Sequence, residues 1–201
     1  KWLWGIGAEP DMAAATLMKP FSLTYVRYPD GDVLGTLMAV GSLLPMAIIV
    51  STVGSLTARR ELWDALTLLG ILFNEVVAQV LKHFIKEPRP PSCAAVDFCH
   101  TYGMPSSHAQ LAVFAATLAT LHLHRRHRTC RGPNIRALEP VGVFFTACYW
   151  PVAATVGMSR VYLGYHSRAQ VMAGAAVGMA CGVVWYAVCC WLSVAAALAF
   201  E

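Results

Sequence analysis

The sequence predicts an all-α membrane protein, a polytopic helix bundle of about five transmembrane spans with its working groups gathered at one mouth. Three observations carry that expectation. The chain of 201 residues is 57% hydrophobic and only 13% charged, with a mean hydropathy of +0.55, whereas soluble domains carry about 25% charged residues. Long apolar stretches alternate with short polar ones. The polar residues collect in two islands, 82–108 and 159–166, each between stretches able to cross a bilayer. The length suits one domain, expected as an interfacial or lumenal N-terminal segment, 1–32, and a transmembrane core, 33–201. The net charge of +4 is small. A nucleic-acid partner would want a basic face with interleaved aromatics on a soluble module, so none is expected; the bilayer is the expected surroundings.

Residues 1–20 lack a long apolar core and a cleavage site, so they do not read as a signal peptide. Trp2 and Trp4 suit headgroup depth. Residues 21–32 read as an extended segment ending in a turn at Pro29-Asp30-Gly31. The stretch 33–57 has no charge and exceeds the ~20 residues a span needs; Arg59, Arg60 and Glu61 close it. The second span, 62–86, carries Asn74 and Glu75 near its middle and Lys82 near its end. Pro88 and Pro90 stop it, because the residue before a proline avoids helical geometry. A loop follows over 87–104. The third span starts near Ser106 or Ser107, with Pro105 at a favourable helix start, and runs to about 123. A basic loop, from His-Leu-His-Arg-Arg-His-Arg at 122–128 to Arg136, leads to the fourth span, 141–158, and a fifth, 171–200.

With that count both islands fall on one face. The other face holds Arg59, Arg60, Arg125, Arg126, Arg128, Arg131 and Arg136, seven of the fifteen Lys and Arg, leaving eight. Three of those eight, Lys82, Arg89 and Arg160, sit inside the islands for chemical reasons. By the positive-inside rule the arginine-rich face is cytoplasmic, and the islands face a lumen or the exterior. The seven cysteines are odd in number and follow no metal spacing. Cys148, Cys181, Cys189 and Cys190 lie in apolar runs, as small buried hydrophobes do. Cys93 and Cys99 share the 87–104 loop and can pair if it faces an oxidising lumen.

The islands carry the chemistry. Lys82 and Arg89 are seven apart, close to two helical turns, and share a face while the helix lasts. Glu75 lies on the same stripe, deeper; it either holds a basic residue in place or, the favoured reading, makes a structural hydrogen bond near Asn74. Arg suits phosphate because its planar fork makes two parallel charge-assisted bonds. Lys82, Arg89 and Arg160 could instead snorkel to headgroups, but each sits beside Pro or Ser in a polar turn. Pro105-Ser106-Ser107-His108 adds hydroxyls and N–H groups at a helix N-terminus, which favours anions. Phosphoryl transfer needs a nucleophile, a proton donor for the leaving oxygen and charge stabilisation. His108, His166 and the three cations supply that set with no metal and no cofactor. His122, His124 and His127 have near-helical spacing that could bind metal, but a solvated loop face is the expected reading.

Lys-x6-Arg-Pro at 82–90, Pro-Ser-Ser-His at 105–108 and Ser-Arg-x5-His at 159–166 resemble, in order and setting, the three signatures of the type 2 phosphatidic acid phosphatase superfamily. Leu-Phe-Asn-Glu at 72–75, Lys-Glu-Pro-Arg-Pro at 86–90, Tyr-Gly-Met-Pro-Ser-Ser-His at 102–108, Ser-Arg-Val-Tyr at 159–162 and the 21–32 segment most resemble its dolichyl-diphosphatase branch, over roughly 21–185. The resemblance implies that Lys82, Arg89 and Arg160 bind the phosphate, helped by Ser106 and Ser107. It implies that His166 attacks phosphorus and forms a phosphohistidine, while His108 protonates the leaving group and then activates water. The implied substrate is dolichyl diphosphate, on the lumenal face of the endoplasmic reticulum membrane, within the lipid cycle of protein N-glycosylation. Two positions depart from the broad pattern. Ser107 replaces a Gly that allows close backbone approach, and Gln170 replaces an Asp that orients the nucleophilic His; the dolichyl-diphosphatase branch resembles this chain at both. Gln170 can accept the ring N–H but brings no charge. Other readings are the same chemistry on another lipid phosphate, a silent lipid-binding protein, and a channel or transporter.

Overall fold

The computed structural model describes residues 18–20, 26–129 and 133–199; expectations for 1–17 and 21–25 fall outside them. Two short strands, β1 (Met18–Pro20) and β2 (Arg27–Pro29), pair antiparallel with Lys19 opposite Tyr28. Six α-helices follow among the described residues: α1 (Val33–Gly41), α2 (Leu44–Arg59), α3 (Leu62–Ile85), α4 (Ser107–Thr129), α5 (Pro133–Tyr162) and α6 (Arg168–Ala199), with a short 3-10 turn at Pro91–Ala94 between α3 and α4. Among the described residues, three stretches are long and apolar enough to cross a membrane: Val33–Arg59 (α1 with α2), α3, and Arg168–Ala195 of α6. The architecture is the expected helix bundle.

The first expected span is broken in two. Ser42 and Leu43 interrupt it, and Pro45 opens α2, where its missing N–H costs nothing. Between α2 and α3 the chain reverses through Arg60 in the left-handed region, φ 53°. Arg59 Nη2 donates to the buried Asp64 Oδ1 at 2.8 Å across that turn. The expected basic loop is mostly helix: α4 reaches Thr129 and α5 starts at Pro133, because neither end meets a breaker before Gly132-Pro133. His122 is consequently on α4 and stacks on Trp63, centroids 3.8 Å apart, instead of facing solvent. His124 is exposed, and the side chain of His127 lies outside the description.

Helix α4 is the hub, touching α2, α3, α5 and α6. Ile71, Leu111, Phe114, Leu118 and Cys181 form its main core cluster, while Ala112, Val113, Ala153 and Val156 join it to α5. Gly174, Gly178 and Gly182 stand four apart on α6, the small-residue stripe that lets membrane helices approach backbone to backbone. A Cβ on Gly174 would lie 2.5 Å from the Ser106 carbonyl oxygen, and one on Gly178 would overlap the Gln110 carbonyl. Trp185 Nε1 donates to the Leu66 carbonyl at 2.8 Å, tying α6 to α3.

Asn74 and Glu75, adjacent in sequence, face opposite ways. Asn74 is buried and accepts from Gln110 Nε2 at 2.9 Å (backbone) and 3.1 Å (side chain). Glu75 is exposed on α3 and accepts from Gln79 Nε2 at 2.5 Å. Its partner is therefore one helical turn away on its own face, a structural bond to Gln79 and not to Asn74.

Candidate active site

The turn between α5 and α6 sets the site. Ser167-Arg168-Ala169-Gln170 forms a capping box: Gln170 N donates to Ser167 Oγ, and Ser167 N to Gln170 Oε1, both at 3.2 Å. That box fixes Gln170 immediately behind His166. The Gln170 amide is oriented from its other end, since Nε2 donates to Glu87 Oε1 at 2.9 Å and to the Pro88 carbonyl at 2.8 Å. Oε1 is thereby turned to His166 Nδ1, at 3.3 Å; the Gly103 carbonyl is nearer, at 2.9 Å. Both partners are acceptors, so Nδ1 carries the proton and Nε2 the lone pair. Gly103 has to be glycine, because a Cβ there would lie within 2.7 Å of three Gln170 side-chain atoms.

His166 is buried. Burial, with the charges of Arg89 and Arg160 behind it, pushes its imidazole down to about 2. The ring is neutral at physiological pH and keeps its Nε2 lone pair, which is what a nucleophile needs.

The three cations line the same cavity as that atom. Arg89 Nη1 donates to the Tyr165 carbonyl at 2.7 Å and lies 3.1 Å from His166 Nε2, and its Nε donates to Thr101 Oγ1 at 3.0 Å. Arg160 is buried, donates to Ser42 Oγ at 2.7 Å and stacks over the Tyr165 ring at 4.0 Å. Lys82 Nζ donates to Ser107 Oγ at 3.0 Å. At position 107 the hydroxyl thus gives Lys82 a partner that a glycine could not. Lys82, Arg89, Ser107, His108, Arg160 and His166 line one cavity of about 440 Å³. Ser106 and Gln170 stand behind it, with Ser106 N donating to the Gln170 carbonyl at 3.1 Å. Ser106 Oγ and Arg160 Nε are buried with no hydrogen-bond partner among the described residues, an arrangement that costs free energy until an acceptor arrives. All eight residues singled out from the sequence come together here.

Several residues the sequence did not single out complete the site. Tyr165 supports Arg160 with its ring and Arg89 with its carbonyl, and its hydroxyl accepts from Arg27 N at 3.1 Å. Ser42 anchors Arg160 from the break between α1 and α2. Glu87 and Gly103 orient Gln170 and His166. The Ser-x-x-Gln pattern was the available signal for Gln170's double role; Ser42 and Tyr165 carry none. The 87–104 loop is clamped by a Cys93–Cys99 disulfide, and Phe98 in it lies 4.7 Å beneath the Arg89 guanidinium. Val26, Tyr28 and Met38 pack against Val96, Leu163 and Tyr165, and Tyr162 donates to Asp32 Oδ2 at 2.7 Å. The strand β2 and the start of α1 therefore brace the outer side of the site.

Known proteins give the arrangement its context. The chain is 39% identical over 184 residues to dolichyldiphosphatase 1 of Rhinolophus ferrumequinum, an alignment covering 90% of this chain and 76% of that protein. It is 34% identical over 170 residues to lipid phosphate phosphatase gamma of Arabidopsis thaliana, covering 84% and 73%. The crystal structure of a transmembrane PAP2 type phosphatidylglycerolphosphate phosphatase from Bacillus subtilis superposes with a TM-score of 0.59 at 21% identity, over 88% of this chain and 81% of that one, a likeness of fold. The PAP2 superfamily model matches residues 63–192, from the start of α3 almost to the end of α6, a range that includes all eight of the site residues singled out from the sequence. The chain belongs to the PAP2 superfamily.

Proposed function

We propose that this membrane phosphatase of lipid phosphates removes the terminal phosphate of dolichyl diphosphate, releasing dolichyl phosphate and inorganic phosphate and recycling the lipid carrier of N-glycosylation. The observation that carries the chemistry is the state of His166: neutral, with Nδ1–H held by Gly103 and Gln170 and the Nε2 lone pair 3.1 Å from a guanidinium. The name dolichyldiphosphatase 1, carried by a relative 39% identical to this chain, supports the substrate.

In this reading Arg89, Arg160 and Lys82 take the oxygens of the terminal phosphate, and Ser106 Oγ and Arg160 Nε find in it the partners they lack. Preorganised charge of this kind stabilises the transition state of phosphoryl transfer. His166 Nε2 attacks phosphorus as the bond to the bridging oxygen breaks, and His108, which the negative charge of the bound diphosphate keeps protonated against the surrounding cations, gives its proton to that oxygen on the departing dolichyl phosphate. The new P–N bond leaves a positive imidazole, stabilised through Nδ1–H by the two acceptors. His108, now neutral, takes a proton from water; the hydroxide attacks phosphorus, the P–N bond breaks, and inorganic phosphate leaves. No metal enters these steps.

In this reading the chain crosses the membrane five times and the cavity faces the lumen of the endoplasmic reticulum. The arginines on the opposite face support that orientation by the positive-inside rule, and the Cys93–Cys99 pair fits an oxidising compartment. The test is phosphate release by purified enzyme in detergent from dolichyl diphosphate, dolichyl phosphate and phosphatidate. Strong preference for the diphosphate upholds the proposal. Equal rates on phosphatidate would leave the chemistry in place and remove the dolichyl assignment. Absence of release from all three would leave only a lipid-binding role.

A further inference from the structure

The cavity is longer than the six phosphate-site residues need. It continues along α3 past Lys82 to Gln79 and His83, and along the disulfide-clamped loop to His100, Thr101 and Tyr102. Gln79, Lys82 and His83 are spaced i, i+3, i+4, so they share one helical face. Lys82 thus lies on the same face of α3 as Gln79 and His83, and all three line the cavity. His83 and Tyr102 come from different elements and face each other edge to plane, centroids 6.5 Å apart.

His83 is held for a particular task. Its Nδ1 is 2.8 Å from the Gln79 carbonyl, which can only accept, so Nδ1 carries a proton and Nε2 is the ring's remaining polar atom. Nε2 can accept from a P–OH group, or donate to a phosphate oxygen once the ring takes a second proton. The Tyr102 hydroxyl donates to the same kind of oxygen. Neither group has a part in attack, leaving-group protonation or water activation as derived above.

The rest of α3 indicates what lies beyond. His83, Val80, Val76 and Leu72 follow one another at spacings of three and four, one ridge of the helix. Val80 is 47% exposed, Val76 61% and Leu72 57%, an apolar track leading from the cavity down the outer face of a membrane helix. Terminal phosphate site, second polar group and apolar track are thus arranged in the order of the parts of a lipid diphosphate.

Resting on the diphosphate reading above, we propose that His83 and Tyr102 form the subsite for the second, chain-linked phosphate, with the prenyl chain continuing along Val80, Val76 and Leu72. These residues would set the preference for a diphosphate over a monophosphate. The experiment compares wild type, His83→Ala and Tyr102→Phe for kcat/KM on dolichyl diphosphate and on phosphatidate, and for inhibition by methylenediphosphonate and by orthophosphate. A hydrogen bond to a charged group supports a change of about 10- to 100-fold. The diphosphate-to-monophosphate ratio is expected to fall by that factor in His83→Ala, with methylenediphosphonate weakened toward orthophosphate. Tyr102→Phe, which keeps the ring's packing, shifts both in the same direction. Unchanged ratios and inhibition constants, or proportional losses on both substrates, would overturn the subsite. A wild-type enzyme without diphosphate preference fails the underlying reading by its own rates, and the subsite falls with it; intact wild-type preference that survives in both variants overturns the subsite alone.

Discussion

One side-chain amide joins folding and chemistry at the residue scale. Gln170 caps α6, and the same oxygen that accepts from Ser167 N reaches His166 Nδ1. Replacing it with Ala is expected to lower kcat about 10- to 100-fold, the scale on which partners orienting a metal-bound imidazole act, with a smaller change in KM. His166→Ala should lose roughly 10⁴-fold or more, as nucleophile deletions do, while retaining lipid binding; substantial residual phosphate release would remove it as nucleophile. The buried ring also makes a thermodynamic prediction. Its folded pKa of about 2 lies below the ordinary 6.5, so between those values the unfolded chain binds the extra proton and stability rises with pH. The melting temperature in detergent should therefore drop as pH falls below 6.5, and His166→Gln should make that slope shallower. The two motif histidines and three cations were legible because charge is scarce in this chain and its position conspicuous. Ser42 and Tyr165 were not, because their roles are contacts across more than a hundred residues and to a backbone carbonyl, with no local pattern.

Among the elements, α6 and the 87–104 loop place those side chains. The Gly174, Gly178, Gly182 stripe brings α6 against the start of α4, which is why Ser106 N can reach the Gln170 carbonyl. Gly178→Leu would force a side chain into the Gln110 backbone, an overpacking cost of about 1–3 kcal/mol; a lowered melting temperature together with lost activity checks it, and an unchanged one would refute the close approach. The disulfide closes a short loop, worth on the order of 2 kcal/mol by chain entropy. Cys99→Ser, or mild reductant on the wild type, should lower thermal stability and activity together, since Phe98 and Thr101 in that loop hold Arg89. The helices were expected in order but not in number, since the α1–α2 break turns one expected span into two helices, and the helical basic segment was not expected either. A break inside an apolar run leaves no change in hydropathy, and arginine is a good helix former that reads as loop only by polarity.

The described residues form a bundle around α4, with the cavity at one end and Arg59, Arg60 and Arg125 at the other. If the mechanism needs no metal, EDTA should leave phosphate release intact, and a loss restored by added metal would break it. Cysteine-accessibility or glycosylation tags inserted near 60 and near 96 should report opposite sides of the membrane, with the second on the lumenal side; both on one side would refute the five-span topology. The sequence by itself determined the class and which polar side chains gather at one site, because charges are few in so apolar a chain and spacing along a helix then states which of them share a face. Tertiary structure alone decided which nitrogen of His166 holds the proton, what anchors Arg160, which way Glu75 faces and how far the cavity extends along α3. Each of those depends on a partner supplied by another helix at a few ångströms, and such distances are set by packing, not by any run of neighbouring residues.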